Sequence, residues 1–536
     1  MKKKLMVLLL VPVLALSTLA VSCKNNTVNQ DMILFSVFNG GFGTDWATHA
    51  AEEFNKTEEK YKVQIVPNDD EWYAIEAGFE SGTAEYDIYL NSIDFIEANS
   101  RGWLEDLTDV YNSRPDGEDS DTVYEKVKER DKDYVDTVHK YEGKYYTIPF
   151  QDGFMGFIYD HDIFLKNGFL IGRNGTPITS REQPLSLGRD GKEDTFDDGH
   201  PSNIAEYELM INKIQQTGMA VYLWTGLLSY YVTPLYSAIY AEYDGVDNYE
   251  KSFSLTGDYT NPETGEQLSF TTETGYLTFK MQGRYEALNF MDKYMADSLY
   301  YHTDSAKNTT NSDVHRSYIY GNAYGGSYQP AAFLFEGTWW ENEARANFNS
   351  LANRGKPDYA YGVRDYRYMM LPLMDEHQEE NGYVLPVFDS MSLFVKKQAD
   401  TEKSNAIKRF LTYLHTDEEM RYYTSTTGGV KPFDYTLTDD DYNSMSKFAK
   451  TSYEIYNSDS VNVIRTSTDQ YRYRDYYTMG INIAMTRIGN VTYQHPIQLM
   501  LRGSGITTIA NARQIYEGAI NYYTETWEST YLSRLS

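Results

Sequence analysis

The apolar positions near the start of the chain fall into short continuous runs that alternate with fourfold spacings. The runs predict three buried strands, at residues 32–38, 61–66 and 86–90. Between the first two, Trp46, Ala50 and Phe54 recur every four residues as one face of a helix, and residues 71–81 predict a second helix. This order predicts a parallel α/β sheet, which binds ligands beyond the carboxyl ends of its strands.

The same two patterns continue through the rest of the chain. Residues 141–150 predict a hairpin that leads into an extended segment. Further strands are predicted at residues 156–159, 332–335, 368–373 and 392–395, and helices with an apolar face at residues 204–214 and 406–415. Because 536 residues exceed what one hydrophobic core usually organises, we expect an α/β protein of at least two lobes.

Charge and cysteine content narrow the classes of partner. The chain has 48 Lys and Arg against 78 Asp and Glu, a formal net charge of −30. Such a chain repels phosphate backbones, so we expect no nucleic-acid partner. Its single cysteine, Cys23, excludes an intramolecular disulfide framework and any zinc or iron–sulfur site built from several thiolates.

The first residues predict export. Three lysines precede an apolar run at residues 5–16, which is too short to span a membrane and is typical of a signal peptide. Small residues come just before Cys23 and resemble the lipobox of bacterial lipoproteins. We therefore predict a signal peptide at 1–22, a lipidated and palmitate-bearing Cys23, and a tether at 23–30; the alternative is an ordinary signal peptide with an incidental cysteine.

The glycines after the first strand do not form a dinucleotide-binding motif. In the segment GFGTDW, Trp46 stands where the third glycine is needed for close helix approach.

The order of these elements resembles the extracellular solute-binding proteins of bacterial ABC importers, in particular the carbohydrate-binding group that includes maltose-binding proteins. Six features, spread over almost the whole mature chain, carry the resemblance: the lipobox at Cys23, NSRGWLEDL at 99–107, EGKYYTIP at 142–149, YDHDIFLKNG at 159–168, FEGTWW at 335–340, and the helix at 406–415 with GGVKP at 428–432.

The resemblance implies a type II periplasmic-binding-protein-like fold, in which two hinged α/β lobes close over a ligand. Lobe I is expected at 31–148 and 372–415, and lobe II at 149–371 and 416–536. It further implies a monomer, lipid-anchored to the cell membrane on its extracellular or periplasmic side, that delivers a carbohydrate, an oligosaccharide by expectation, to ABC permease subunits.

Sugars are bound by aromatic rings, which stack on their C–H faces, and by carboxylates and amides, which bind their hydroxyls. Candidates are residues of these types near strand ends and turns. The aromatic candidates are Phe42, Trp46, Trp72, Trp224, Trp339 and Trp340, and the polar candidates are Asn39, Asp70, Asp94, Gln151, Asp152, Glu336 and Asp389. Core packing and solvated loops are the ordinary roles of such residues, so the prediction concerns the set.

An acidic segment at 190–199 is a candidate calcium-binding loop. Asp190, Asp194 and Asp198 could contribute oxygen ligands, but the segment lacks the glycine and glutamate that an EF-hand loop requires. We expect a solvated acidic insert and no cofactor, with calcium as the alternative.

Two other functions remain open from the residues. A glycoside hydrolase needs only two carboxylates about 5–10 Å apart, which leave no linear signature. A two-lobed binding protein could also take a peptide or another non-sugar solute, since fold does not fix function. The sequence contains no HExxH, GxSxG or GxxxxGKS motif, and we expect a binding protein that is not an enzyme.

Overall fold

The computed structural model describes residues 31–70, 72–227, 229–325, 328–372, 382–465, 485–493, 496–505 and 509–532. The strands are β1 (Met32–Phe38), β2 (Lys62–Asn68), β3 (Ile88–Asn91), β4 (Lys140–Tyr141), β5 (Lys144–Tyr145), β6 (Thr147–Gly153), β7 (Met155–Asp160), β8 (Ala220–Leu223), β9 (Gly257–Thr260), β10 (Gln267–Phe270), β11 (Ala331–Gly337), β12 (Tyr366–Met369), β13 (Tyr383–Pro386), β14 (Phe388–Val395), β15 (Val461–Ile464), β16 (Thr486–Ile488) and β17 (Val491–Tyr493).

The α-helices are α1 (Asp45–Thr57), α2 (Trp72–Ser81), α3 (Phe95–Ser100), α4 (Thr108–Tyr111), α5 (Lys132–Val138), α6 (His161–Asn167), α7 (Ile204–Gln216), α8 (Thr233–Asp244), α9 (Val246–Ser254), α10 (Gln282–Tyr294), α11 (Asn311–Tyr324), α12 (Trp340–Glu343), α13 (Arg345–Asn353), α14 (Thr401–Tyr413), α15 (Asp417–Thr427), α16 (Asp439–Ser444), α17 (Lys447–Asn457) and α18 (Ala512–Thr526).

Lobe I is built on a five-stranded sheet in the order β2-β1-β3-β14-β6. β1 is parallel to β2 and β3, as the strand–helix pattern predicts, whereas β14 is antiparallel to β3 and β6. Phe35 in β1 and Phe54 in α1 both pack edge-on against Phe410 of α14, with ring centroids 5.9 and 5.1 Å apart. Because β1, β2 and β3 are parallel, their carboxyl ends meet at one edge of the sheet.

Lobe II is built on a four-stranded sheet in the order β12-β7-β11-β8. β11 is parallel to β8 and antiparallel to β7. Helix α7 begins at the residue that its sequence predicts, because Asn203 Oδ1 caps it by accepting the Glu206 backbone N–H at 3.1 Å. A further layer covers this lobe where Tyr523 of α18 stacks on Phe279 at 3.6 Å.

The chain crosses between the lobes at β6–β7 and again around β13–β14. Residues 416–536 were predicted to lie in lobe II, but Met420 and Tyr423 of α15 belong to the lobe I core. The reason is that the Tyr423 ring packs against Trp46 of α1 at 5.2 Å. Conversely, Tyr383 and Leu385 of β13, predicted in lobe I, lie in a core cluster of lobe II.

Candidate ligand-binding cleft

A cavity of about 630 Å³ lies between the two lobes. One wall is the loop that joins β1 to α1 in lobe I, a second is formed by α12 and α13 in lobe II, and α15 forms a third. The side chains that line it are Asn39, Phe42, Thr44, Asp45 and Trp46 from the loop, Asn342, Glu343 and Arg345 from lobe II, and Tyr422, Thr426 and Thr427 from α15. Its volume is within the range of small-molecule sites.

The loop from β1 to α1 is shaped by glycine. Gly41 and Gly43 have φ values of +62° and +71°, a conformation that side-chain-bearing residues rarely adopt. Trp46 Nε1 donates to the Gly43 carbonyl at 3.0 Å and fixes the end of the loop. A Cβ on Gly41 would lie 3.4 Å from Trp339 Cβ, so the glycine lets the lobe I loop approach lobe II closely.

Two hydrogen bonds between cavity-lining residues join the lobes. The Gly41 backbone N–H donates to Glu343 Oε1 at 3.0 Å. Asn342 Nδ2 donates to the Thr427 carbonyl of α15 at 2.7 Å. The lobes therefore contact each other around the cavity, and a ligand inside it would be reached from both.

Glu343 is the carboxylate that faces the cavity from lobe II. Burial by the surrounding protein raises the pKa of this carboxyl, and the charge of Glu336 adds to the rise. The charge of His315 and the hydrogen bond from the Gly41 N–H lower the pKa and so oppose the rise. Behind Glu343, Glu336 is fully buried, with Oε2 3.2 Å from His315 Nε2 and Oε1 accepting the Gly337 N–H at 2.9 Å. Two carboxylates thus stand one behind the other in this wall.

The lobe I wall has an aromatic foundation. Phe42 and Trp46 line the cavity, but most of each side chain is buried. Trp46 stacks on Phe150 with ring centroids 4.8 Å apart, and Tyr423 packs edge-on to both. Tyr423 also donates to Gln151 Oε1 at 2.7 Å, so Gln151 supports this wall from behind.

Two aromatic rings are more accessible. Trp339 is half-buried beside Gly41, and its ring lies over Gly337, where an added Cβ would be 2.3 Å from it. Tyr422 lines the cavity and stacks on His49 of α1 at 3.7 Å. Both rings are held in place by neighbouring groups, as a stacking platform requires.

The polar residues predicted at the strand ends share one edge of lobe I. Asn39 is exposed and lines the cavity, and its N–H donates to the Asn68 carbonyl at 2.9 Å. The carbonyl of Asp70 accepts Asn91 Nδ2 at 3.0 Å, and Asp94 caps α3 by accepting a backbone N–H at 3.2 Å. Asp70 and Asp94 do not line the 630 Å³ cavity.

The structure places three other predicted residues in the core and not in the cavity wall. Trp340 is fully buried and packs edge-on against Tyr366 at 4.9 Å, because α12 turns it inward, away from Trp339. Trp224 follows β8 and packs beside Tyr301 at 6.0 Å. Glu336 is buried with His315, behind the cavity wall.

Asp152 lies at the crossover and is fully buried. Its Oδ2 accepts from Tyr456 Oη and from Arg465 Nη2, while Arg465 Nε donates to Asp131 Oδ1 at 2.9 Å. Burial opposes the charge on Arg465, but Asp152 and Asp131 outweigh it and raise the pKa of the guanidinium. The Asp152 carboxylate therefore links the crossover strand β6 to Tyr456 of α17 and to Arg465.

The remaining predicted residues lie outside what the structure describes. The side chains of Trp72 and Asp389 do so, although both residues belong to described elements, and so does Cys23.

The acidic insert binds several of its own carboxylate oxygens through hydrogen bonds, although Asp198 Oδ1 is buried with no hydrogen-bond partner among the described residues. Asp190 Oδ1 accepts the Lys192 N–H at 2.8 Å, and Asp198 Oδ2 accepts the Asp194 N–H at 2.9 Å. In the part of the chain that the structure describes, no group of three or more His, Cys, Asp or Glu side chains is arranged to hold a metal ion.

Eight cavity side chains were not predicted from the sequence: Asn342, Glu343, Arg345, Tyr422, Thr426 and Thr427, and, in the loop from β1 to α1, Thr44 and Asp45. The first three follow directly after the double tryptophan, so the position of that motif at a strand end was a usable signal. The α15 residues reach the cavity only because α15 packs on α1, a long-range contact that no local pattern reports.

Residues 43–195 match the family described as bacterial extracellular solute-binding proteins. No protein of curated function matches the sequence. Among solved structures, the chain is similar to the apo form of RafE from Streptococcus pneumoniae, with 14% identity over 93% of this chain and 98% of that chain and a TM-score of 0.54. It is also similar to maltose-bound T. maritima MalE3, with 16% identity over 92% and 99% and a TM-score of 0.51.

A chitin oligosaccharide binding protein is similar as well, with 12% identity over 93% of this chain and 99% of that chain and a TM-score of 0.53. At these identities the likeness shows the fold, which is that of the two-lobed solute-binding proteins. The two-lobed α/β fold predicted from the sequence is confirmed by this likeness, and the chain is similar to the solute-binding family over residues 43–195. Among the described residues, no helix is long and apolar enough to cross a bilayer.

Proposed function

We propose that this protein captures a carbohydrate, an oligosaccharide, in the cleft between its lobes and delivers it to the permease of a bacterial ABC importer. The observation that carries the proposal is the 630 Å³ cavity whose opposite walls meet through the Gly41–Glu343 hydrogen bond. A ligand in this cavity contacts both lobes, so it binds the closed form better than the open form and favours closure.

The lining of the cavity supports a sugar ligand. Tyr422 in the lining and Trp339 beside it at Gly41 offer rings for the C–H faces of a pyranose. Asn39, Asn342 and Glu343 in the lining offer amide and carboxylate groups for its hydroxyls. The structural neighbours agree with this class of ligand, since they include RafE in complex with raffinose and MalE3 with bound maltose.

The proposal also covers anchoring. Cleavage before Cys23 leaves a lipid-bearing N-terminus, and the tether of residues 23–30 holds a monomeric receptor at the outer face of the cell membrane. Export of the wild type and a Cys23→Ala variant in a bacterial host tests this part. We expect wild type in the membrane fraction with the mass of a lipidated N-terminus, and the variant free of lipid.

Calorimetric titration against a panel of mono- and oligosaccharides tests the ligand class. We expect saturable binding of an oligosaccharide that is recovered unchanged. Recovery of a hydrolysed product would instead assign a glycoside hydrolase. Binding of peptides, with none of any sugar, would assign a receptor for a non-sugar solute.

A further inference from the structure

We propose that Glu343 sets the charge class of the ligand, so that the cleft accepts neutral saccharides and rejects saccharides that carry a carboxylate. The inference rests on the proposed carbohydrate-binding function and adds to it a specificity-determining residue. It depends on the position of one side chain, on what stands behind that side chain, and on the state of the cation nearest to it.

Glu343 has acceptor capacity to spare for a ligand. Its side chain is accessible from the cavity, and Oε1 accepts the Gly41 N–H at 3.0 Å. A carboxylate has about four acceptor positions, so the group can hold lobe I and still accept from a sugar hydroxyl. A hydroxyl can donate to Glu343, whereas a ligand carboxylate has only acceptor oxygens to present and repels it.

The groups behind Glu343 are already paired with each other. Glu336 is fully buried there, and its Oε2 lies 3.2 Å from His315 Nε2. Because Glu336 offsets any positive charge on His315, this pair gives an anionic ligand no net positive charge, and the Glu343 carboxylate sets the charge of this wall.

The positive group in the cavity lining, Arg345, is already engaged. Its guanidinium lies 4.4 Å from the centre of the Tyr361 ring, and Nη2 donates to Asn342 Oδ1 at 3.3 Å. Nη1 lies 3.9 Å from Asp45 Oδ2 across the cleft. Because Tyr361, Asn342 and Asp45 already contact the Arg345 guanidinium, it offers little net attraction to an anionic ligand.

The test compares three forms of one sugar. The first is the neutral saccharide that binds best in the panel above, the second is the same saccharide with its C6 hydroxymethyl oxidised to a carboxylate, and the third is its 6-deoxy form. The third form removes the hydroxyl without adding charge. Calorimetry measures the dissociation constants for wild type, Glu343→Gln and Glu402→Gln.

We expect wild type to bind the uronate about tenfold to a hundredfold more weakly than the neutral sugar, the effect of one close like-charge pair in a partly wet site. Glu343→Gln keeps an acceptor for Gly41 and should narrow this ratio to about threefold or less. Glu402→Gln is the matched control: the same change from carboxylate to amide, on a side chain that is 73% exposed and lies outside the cavity lining, should leave the ratio unchanged.

Three results would overturn the inference while leaving sugar binding intact. They are equal binding of uronate and neutral sugar by wild type, an unchanged ratio in Glu343→Gln, and a loss for the 6-deoxy sugar as large as that for the uronate. If wild type bound neither neutral nor acidic sugars, the proposed function itself would fall, and the inference with it.

Discussion

Trp339 and Trp340 are adjacent in the chain but lie in different environments. Trp339 is half-buried beside the cavity, and Trp340 is completely buried among Tyr366 and Phe448, with ring centroids 4.9 and 5.4 Å away. Both were predicted to line the cleft. The pair therefore gives an internal comparison between a residue that can contact ligand and one that packs the lobe II core.

We expect Trp339→Ala to weaken sugar binding by at least about tenfold while changing the free energy of unfolding little. Trp340→Ala should destabilise the protein by about 3–5 kcal/mol, the usual cost of deleting a buried tryptophan. Calorimetry and denaturant unfolding on both variants separate the two effects. A Trp339→Ala variant with unaltered affinity would remove that ring from the proposed site.

Lys431 is a buried lysine behind the cavity wall. It is 1% exposed, its Nζ lies 3.0 Å from the centre of the Phe150 ring and 4.2 Å from that of Tyr423, and it donates to the Phe150 carbonyl at 3.1 Å. Burial lowers the pKa of this ammonium well below its ordinary value, although the charges of Glu419 and Asp152 oppose the shift.

This shift sets a pH dependence. Between the lowered pKa and about 10.4, the unfolded chain binds a proton at Lys431 that the folded chain does not, so this group makes stability rise with pH across that window. We expect Lys431→Met to be about as stable as wild type or more stable near neutral pH, because an apolar side chain avoids the desolvation cost.

Denaturant unfolding at several pH values measures the effect. The slope of stability against pH should be shallower in Lys431→Met than in wild type, while Lys447→Met, at an exposed position, should keep the wild-type slope. Parallel slopes in all three proteins would mean that Lys431 keeps its charge on folding.

At the scale of elements, the acidic insert has carboxylate oxygens that the protein itself holds by hydrogen bonds. Asp197 Oδ2 accepts from Tyr383 Oη at 2.8 Å and from the Asp190 N–H at 3.1 Å. The bond from Tyr383 ties the insert to β13. A calcium ion at about 100-fold its dissociation constant would stabilise the fold by about 2.7 kcal/mol, enough to move the melting temperature by several degrees.

We therefore expect chelation with EDTA to leave the melting temperature unchanged. A titration that adds back excess calcium provides the control, and it should also have no effect. A drop on chelation that calcium restores and magnesium does not would reinstate calcium as a structural ligand of residues 190–198.

The elements that the sequence predicts well are those whose pattern is local. β1 covers the predicted residues 32–38, and α7 begins after its Asn203 cap, because strand and helix periodicity and capping depend on neighbours in the chain. The residues of the cleft depend more on contacts between segments that are distant in the sequence. Its lobe I loop was predicted from the strand end, but α15 reaches it through the Tyr423–Trp46 contact, and nothing in the α15 sequence marks that contact.

At the scale of the whole molecule, closure depends on a small number of contacts between the lobes. The Gly41–Glu343 and Asn342–Thr427 hydrogen bonds flank the cavity and join the lobes. Each hydrogen bond contributes about 0.5–1.5 kcal/mol, so together they can shift an open–closed equilibrium by about tenfold or more. Neither bond lies inside the hydrophobic core of a lobe, so their loss should change the orientation of the lobes and not their folding.

The double variant Asn342→Ala/Glu343→Ala tests this directly by small-angle scattering. We expect a larger radius of gyration than wild type without ligand, and unfolding free energies within about 1 kcal/mol of each other. Saturating sugar should contract both proteins, with the variant needing a higher concentration because part of the binding energy is used for closure. Identical scattering of the two proteins, with and without sugar, would show that the lobes are fixed and that the cavity fills without closure.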